Sequence, residues 1–317
     1  MIMSGFDLVF YTQASAASGM GHLTRSAAVI SSLDKYGIES RVVLRVDDQG
    51  RALAQAKGLT ERQTELRDDT PAPDYIVIDA MNVPEEDARN LAKAPQRILI
   101  SPVCDRADIA SHAMLRIVPG DLRNRLDPNC MLTCDDRFAY ATTEGLSPRT
   151  LDYDGPLVVG ICISGGLDQP EIGTLLSAIL AAPRVEAVYV IHPRVTDTDH
   201  SDAKVYYRVF CDDPWSFLAP INVFIGGDGV MVAEAVAQAL PCLSISQSGA
   251  PAKNRGFVES GCIEDCTFND APAVMAELLS DRARLMGMHR AALAQGGRQD
   301  ANALPQAIMQ LVKNRGI

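Results

Sequence analysis

Residues 6–11, Phe-Asp-Leu-Val-Phe-Tyr, run through small residues at 12–17 into Ser18-Gly19-Met20-Gly21-His22-Leu23-Thr24-Arg25. The first run is short, apolar and rich in strand formers. After the glycines, Leu23, Ala27, Ile30 and Leu33 recur at helical spacing, and Gly37 stands where a helix ends on a left-handed residue. The order is strand, glycine-rich turn, helix. In an open α/β sheet such a turn lies at the carboxyl end of a strand, where ligands bind. Gly19 and Gly21 let the backbone approach a ligand closely, and the helix N-terminus offers free N–H groups. His22 is the first side chain on that helix. The positive end of the helix disfavours a charged ring, which predicts a neutral imidazole able to accept a proton. Standing alone, the motif is equally a tight turn with a capping histidine. It is no dinucleotide fingerprint, because Thr24 and Arg25 occupy the place of the third glycine, and no Gly-Lys-Ser/Thr follows to make a P-loop.

Outward from this stretch the first half alternates strands and helices. Strands are expected at 41–46, 74–79, 97–100 and 115–118, with helices at 49–57 and 84–92. Asp79 ends the Tyr-Ile-Val-Ile-Asp strand on the same sheet edge as His22. That makes it a candidate for a ligand or orienting role, with a loop-capping acid the plainer alternative. Residues 119–156 carry no clear periodicity, and Asp-Tyr-Asp-Gly-Pro at 152–156 has the composition of a linker. Alternation then restarts, with strands at 157–163, 186–191, 205–210, 222–225 and 241–245 and helices through 304–314. The reading is α/β, two Rossmann-like doubly wound domains facing a cleft, 1–152 and 153–317; analogy with families of this kind of fold, and nothing in the residues, puts the last helix back on the first domain.

Two glycine-rich turns of the second half each join a strand to a helix: Ser164-Gly165-Gly166-Leu167-Asp168 and Gly226-Gly227-Asp228-Gly229. Both present backbone N–H groups suited to a diphosphate. Glu234, one turn into the second of these helices, could hold the two hydroxyls of a ribose, or could be a solvated helix residue.

The chain has 317 residues, 47% hydrophobic and 22% charged, with a formal net charge of −11. That is a globular composition for two ordinary domains, and the acidity argues against nucleic acid or an anionic membrane as partner. No apolar run approaches the ~20 residues that span a bilayer, so no transmembrane segment is expected. Residues 1–7 lack the basic and apolar regions of a secretory signal, and a cytoplasmic location with reduced thiols is the simplest expectation. Of eight cysteines, Cys130/Cys134 and Cys262/Cys266 share a three-residue gap unlike that of zinc knuckles, and no metal site is read.

Together these residues resemble the two-domain GT-B nucleotide-sugar enzymes. The nearest members are the UDP-sugar hydrolase of pseudaminic acid biosynthesis and the spore-coat polysaccharide glycosyltransferases. The resemblance covers residues 6–280 and is carried by Gly-x-Gly-His-x-x-Arg, Asp79, Ser-Gly-Gly-x-Asp, the glycine turn before Glu234, Leu240-Pro241 and Asn254. It implies that His22 is the catalytic base. Gly19, Gly21, Arg25, Asp79 and Asn254 would contact substrate. Ser164, Gly165, Gly166, Gly227, Asp228 and Gly229 would line the diphosphate, and Glu234 would hold the ribose. The partners implied are a UDP-linked nucleotide sugar and a sugar or glycan acceptor. No cofactor is required, although Mg²⁺ is compatible. Asp228-Gly229-Val230-Met231 stands where the family carries Gly-Gly-Ser-Thr, and Met81 where the hydrolases carry Asp-x-Tyr after the third strand. The function implied is a glycosyltransferase of surface polysaccharide or glycan synthesis. A UDP-sugar hydrolase and a non-catalytic sugar-nucleotide-binding subunit are the alternatives.

Overall fold

The structure is a computed structural model. It describes residues 6–118, 120–163, 169–192, 204–208, 211, 213–227, 229–246, 255–295 and 299–313. The chain forms two compact units, Met1–Glu144 with Asp300–Ile317, and Gly145–Gln299.

The first unit runs β1 (Leu8–Ala14), α1 (Gly21–Lys35), β2 (Arg41–Val46), α2 (Asp48–Ala56), β3 (Tyr75–Asp79), α3 (Glu85–Leu91), β4 (Gln96–Leu99), β5 (His112–Leu115), α4 (Gly120–Arg125) and β6 (Met131–Cys134). Its six strands are parallel in the order β2-β1-β3-β4-β5-β6. β1 and β3 are central and buried on both faces, which is why they read as near-continuous apolar runs. Side chains alternate along them. Val9, Tyr11, Ile76 and Ile78 pack with Ala88 and Leu91 of α3 on one face. Asp79 turns to the other face, where it meets α1. α1 and α3 therefore cover opposite faces, and the order of strands reverses between β1 and β3. α1 ends as expected: Gly37 takes φ +72° and its N–H reaches Asp34 O at 2.9 Å.

α3 is tied at its first turn by Asp87, which accepts from Tyr11 Oη at 2.7 Å and Arg45 Nε at 2.7 Å. Burial raises the Asp87 carboxyl, but Arg45 and Tyr11 bring it below the usual carboxylate range.

The second unit runs β7 (Leu157–Cys162), α5 (Gln169–Leu180), β8 (Val185–Ile191), β9 (Val205–Arg208), α6 (Pro214–Leu218), β10 (Val223–Gly226), α7 (Val230–Ala237), β11 (Cys242–Ser246), α8 (Arg255–Glu259), β12 (Ile263–Thr267), α9 (Ala271–Ser280) and α10 (Arg282–Gln295). Its sheet, also all parallel, has the order β9-β8-β7-β10-β11-β12, so the reversal here lies between β7 and β10. The last helix, α11 (Ala303–Lys313), belongs to the first unit, where Asn302 Oδ1 accepts from Ser32 and Tyr75 Oη donates to Val312 O.

Residues 152–156, which have a linker's composition, are part of the second unit. Tyr153 is fully buried in its core, and its hydroxyl donates to Asn222 O at 3.1 Å. The strand expected at 115–118 lies three residues earlier, because His112–Leu115 is the buried run and 116–118 are half-buried. Residues 119–156, read as featureless, contain α4 and β6. β12 and α6 also went unread. Among the described residues no helix is long and apolar enough to cross a membrane.

Candidate functional site

The turn from β1 to α1 is built by its glycine. Gly19 has φ +75°, a left-handed backbone that side chains disfavour, and it closes a turn with Ser15 through Gly19 N–H to Ser15 O at 2.8 Å. Ser18 N–H donates to Ser15 Oγ at 3.0 Å, and Ala16 N–H to Asp47 Oδ2 at 2.8 Å, so the loop is anchored to α2 as well. α1 then opens at Gly21 with no side-chain cap, leaving its first N–H groups to solvent or ligand.

His22 follows at once. Its Nδ1 lies 2.7 Å from Asp79 Oδ1. Asp79 is fully buried and also accepts from Arg25 Nε at 2.9 Å, from Arg25 Nη2, and from Ser26 Oγ at 3.4 Å. Burial pushes the Asp79 carboxyl up, but the Arg25 guanidinium and the His22 hydrogen bond hold it below its ordinary value. An ionised carboxylate only accepts, so Nδ1 carries the hydrogen. Nε2 is left as the atom that can take a proton. The more distant Arg25 Nη2, 3.5 Å from Nδ1, does not alter this, since Nδ1 is already committed to Asp79. The His22 side chain is 11% exposed and Asp79 0%, so one member of the pair reaches the surface and the other orients it from beneath.

This pair stands at the carboxyl ends of β1 and β3, where the strand order reverses. That is the place at which open α/β sheets hold ligands. Five candidates of the first unit, Gly19, Gly21, His22, Arg25 and Asp79, are thus brought together. Arg25, expected among the substrate contacts, spends Nε and Nη2 on Asp79. Two further residues of this site went unread. Ser26 adds a hydroxyl toward Asp79, and Gln13, the half-buried polar residue near the end of a mostly apolar strand, accepts two backbone N–H groups just beyond Asp79.

In the second unit β7 and β10, the strands that precede the two glycine-rich stretches in sequence, flank the corresponding reversal. Gly227 and Gly229 are described, and Gly229 is the N-cap residue of α7, again with no side-chain cap. Ser164, Gly165, Gly166, Asp228 and Asn254 lie outside the described residues. Glu234 is only 2% exposed, so it is not a solvated helix residue. Burial pushes the thiol of Cys162, the last residue of β7, up to about 12, with the charges of Cys211 and Glu234 adding to the rise. Among the described residues no three metal-ligating side chains meet.

No protein-family model matches the chain, and no curated protein matches it in sequence. Solved structures do match it in fold along nearly its whole length. The MurG structure of Acinetobacter baumannii superposes with a TM-score of 0.59 at 12% identity, covering 97% of this chain and 99% of that one. The pneumococcal O-GlcNAc transferase GtfA, solved with UDP and GlcNAc, gives 0.65 at 7% identity, over 98% and 99%. A UDP-N-acetylglucosamine 2-epimerase gives 0.61 at 11% identity, over 99% and 97%. At such identities the likeness is one of architecture. The chain has two Rossmann-like α/β units, as its residues predict, in the GT-B type of fold that its resemblance implies.

Proposed function

We propose that the protein is a nucleotide-sugar-dependent glycosyltransferase. The observation that carries this reading is the His22–Asp79 pair, 2.7 Å apart at the β1/β3 reversal, in a fold shared with a structure whose name specifies sugar transfer, the pneumococcal O-GlcNAc transferase. His22 Nε2 takes the proton of an acceptor hydroxyl as its oxygen bonds to the anomeric carbon of the donor. Asp79 stabilises the imidazolium that forms. The bond from the anomeric carbon to the nucleoside diphosphate breaks, and the leaving phosphates take up the charge. In this reading backbone N–H groups around Gly227 and Gly229, at the N-terminus of α7, receive it. Glu234 binds the ribose hydroxyls of a UDP-linked donor. The product class, by resemblance, is a surface polysaccharide or glycan.

The test is incubation with a panel of UDP-sugars, following UDP release with and without sugar acceptors. Release that requires an acceptor supports transfer. Release at the same rate without one makes the protein a hydrolase that uses the same pair to activate water. UDP binding with no release makes it a binding subunit. The nucleotide itself is checked by thermal shift. A ligand at one hundred times its Kd adds about 2.7 kcal/mol of stability, which is readily detected.

A further inference from the structure

The β1–β3 ladder ends where Thr12 pairs with Asp79. Gln13 is the next residue on β1, and its side chain takes over from the ladder. Gln13 Oε1 accepts the backbone N–H of Met81 at 3.0 Å and of Asn82 at 3.2 Å, the second and third residues past Asp79. A backbone N–H can only donate, so the amide has one orientation: its oxygen toward residues 81–82. From the β4 side, Asp105 Oδ1 accepts Val83 N–H at 2.9 Å, and Asp105 N–H donates to Met81 O at 2.9 Å. Gln13 and Asp105 thus hold the main chain just after Asp79 from two sides, Gln13 through the N–H groups of Met81 and Asn82. Gln13 acts from the face of the sheet opposite to the one on which Asp79 meets His22 and Arg25.

We infer that Gln13 is a positioning residue for the His22–Asp79 pair. By holding Met81 and Asn82 it fixes where β3 stops, and so where the Asp79 carboxylate aims. A base displaced by about 1 Å forfeits on the order of a hundredfold in rate. The inference rests on the reading of His22 as the base. It also has a readout that does not depend on turnover.

The readout is the His22 Nδ1–H proton, observed by NMR on ¹⁵N-histidine protein and assigned with His22→Ala. In the wild type it is a low-field resonance in slow exchange, because Asp79 holds it. Gln13→Glu keeps an oxygen that accepts both N–H groups and keeps the resonance. Gln13→Met, nearly isosteric but with no strong acceptor, broadens or shifts it upfield and lowers kcat for UDP-sugar turnover roughly 10–100-fold with KM for the UDP-sugar unchanged. Gln13→Asn, too short to reach both groups, gives an intermediate effect and serves if Gln13→Met does not fold. An unchanged resonance in Gln13→Met or Gln13→Asn overturns the inference, as does its loss in Gln13→Glu. If the resonance responds as stated but no nucleotide sugar is turned over by the wild type, the positioning stands and the glycosyltransferase reading fails. If the wild type turns over and His22→Ala does not, while Gln13→Met keeps the resonance, the positioning alone fails.

Discussion

Asp79→Asn replaces a fully buried carboxylate by a group of equal size and no charge. Asp79 accepts from His22, twice from Arg25, and from Ser26. The asparagine oxygen satisfies part of this set, and its NH₂ faces donors. Arg25 loses its counter-charge while 18% exposed. Removing one partner of a buried pair costs about 3–5 kcal/mol. Because Arg25 reaches some water, the lower end applies, about 3 kcal/mol. For a folded unit of this size that is a fall of roughly 6–12 °C in Tm. The pH dependence follows from the sign of the shift. The folded carboxyl sits below the ordinary value of about 4, so at lower pH the unfolded chain takes up a proton that the folded chain refuses. The stabilisation is complete above the unfolded pKa and is lost as pH falls through the folded one. Urea denaturation followed by circular dichroism between about pH 7 and pH 3 measures both. In Asp79→Asn stability drops at neutral pH and the acid slope is shallower. A loss below ~1 kcal/mol with an unchanged slope refutes the reasoning that Asp79 is an ionised counter-charge.

Three other outcomes are expected. Gly19→Ala, forcing a side chain into φ +75°, costs roughly 1–2 kcal/mol in denaturation, and a neutral result contradicts the role given to that turn. Glu234→Gln weakens UDP binding about tenfold by calorimetry and removes the preference for UDP over its 2′-deoxy analogue; a preference that persists means another group reads the ribose. Asp228→Ser, which removes an acid from the turn proposed to hold the diphosphate, tightens UDP binding without added metal by roughly 1–2 kcal/mol. Weaker binding together with a Mg²⁺ requirement in the wild type means that Asp228 holds a bridging cation instead.

The central strands were legible because burial on both faces leaves continuous apolar runs such as Tyr75–Asp79. The edge strands β6 and β12 were not. All four residues of Met131–Cys134 are exposed, and Ile263–Thr267 buries only its first, so hydrogen bonds to β5 and β11 define them and no periodicity does. The break between the units was misplaced for a related reason. The polar composition of 152–156 hides Tyr153, which is held in the core by contacts distant in sequence. At the candidate site, local spacing marked the turn with Gly19, Gly21 and His22, and the strand end marked Asp79, but neither told a ligand site from a plain turn; the contact between His22 and Asp79 is a feature of the fold. That Arg25 turns inward to Asp79, and that Gln13 holds the chain beyond it, depend on strand register and on which face each side chain takes, neither of which is written in a short motif.

The central claim is that His22 is a base acting on a nucleotide sugar. It is tested most directly by single-turnover rates of UDP-sugar consumption, with UDP affinity measured alongside, in the wild type and His22→Ala. A rate lower by ~10²–10⁴-fold with UDP affinity nearly unchanged is expected in His22→Ala, because a general base acts in the transition state. Wild-type rates in His22→Ala would contradict the claim and reduce His22 to a structural residue at the start of α1.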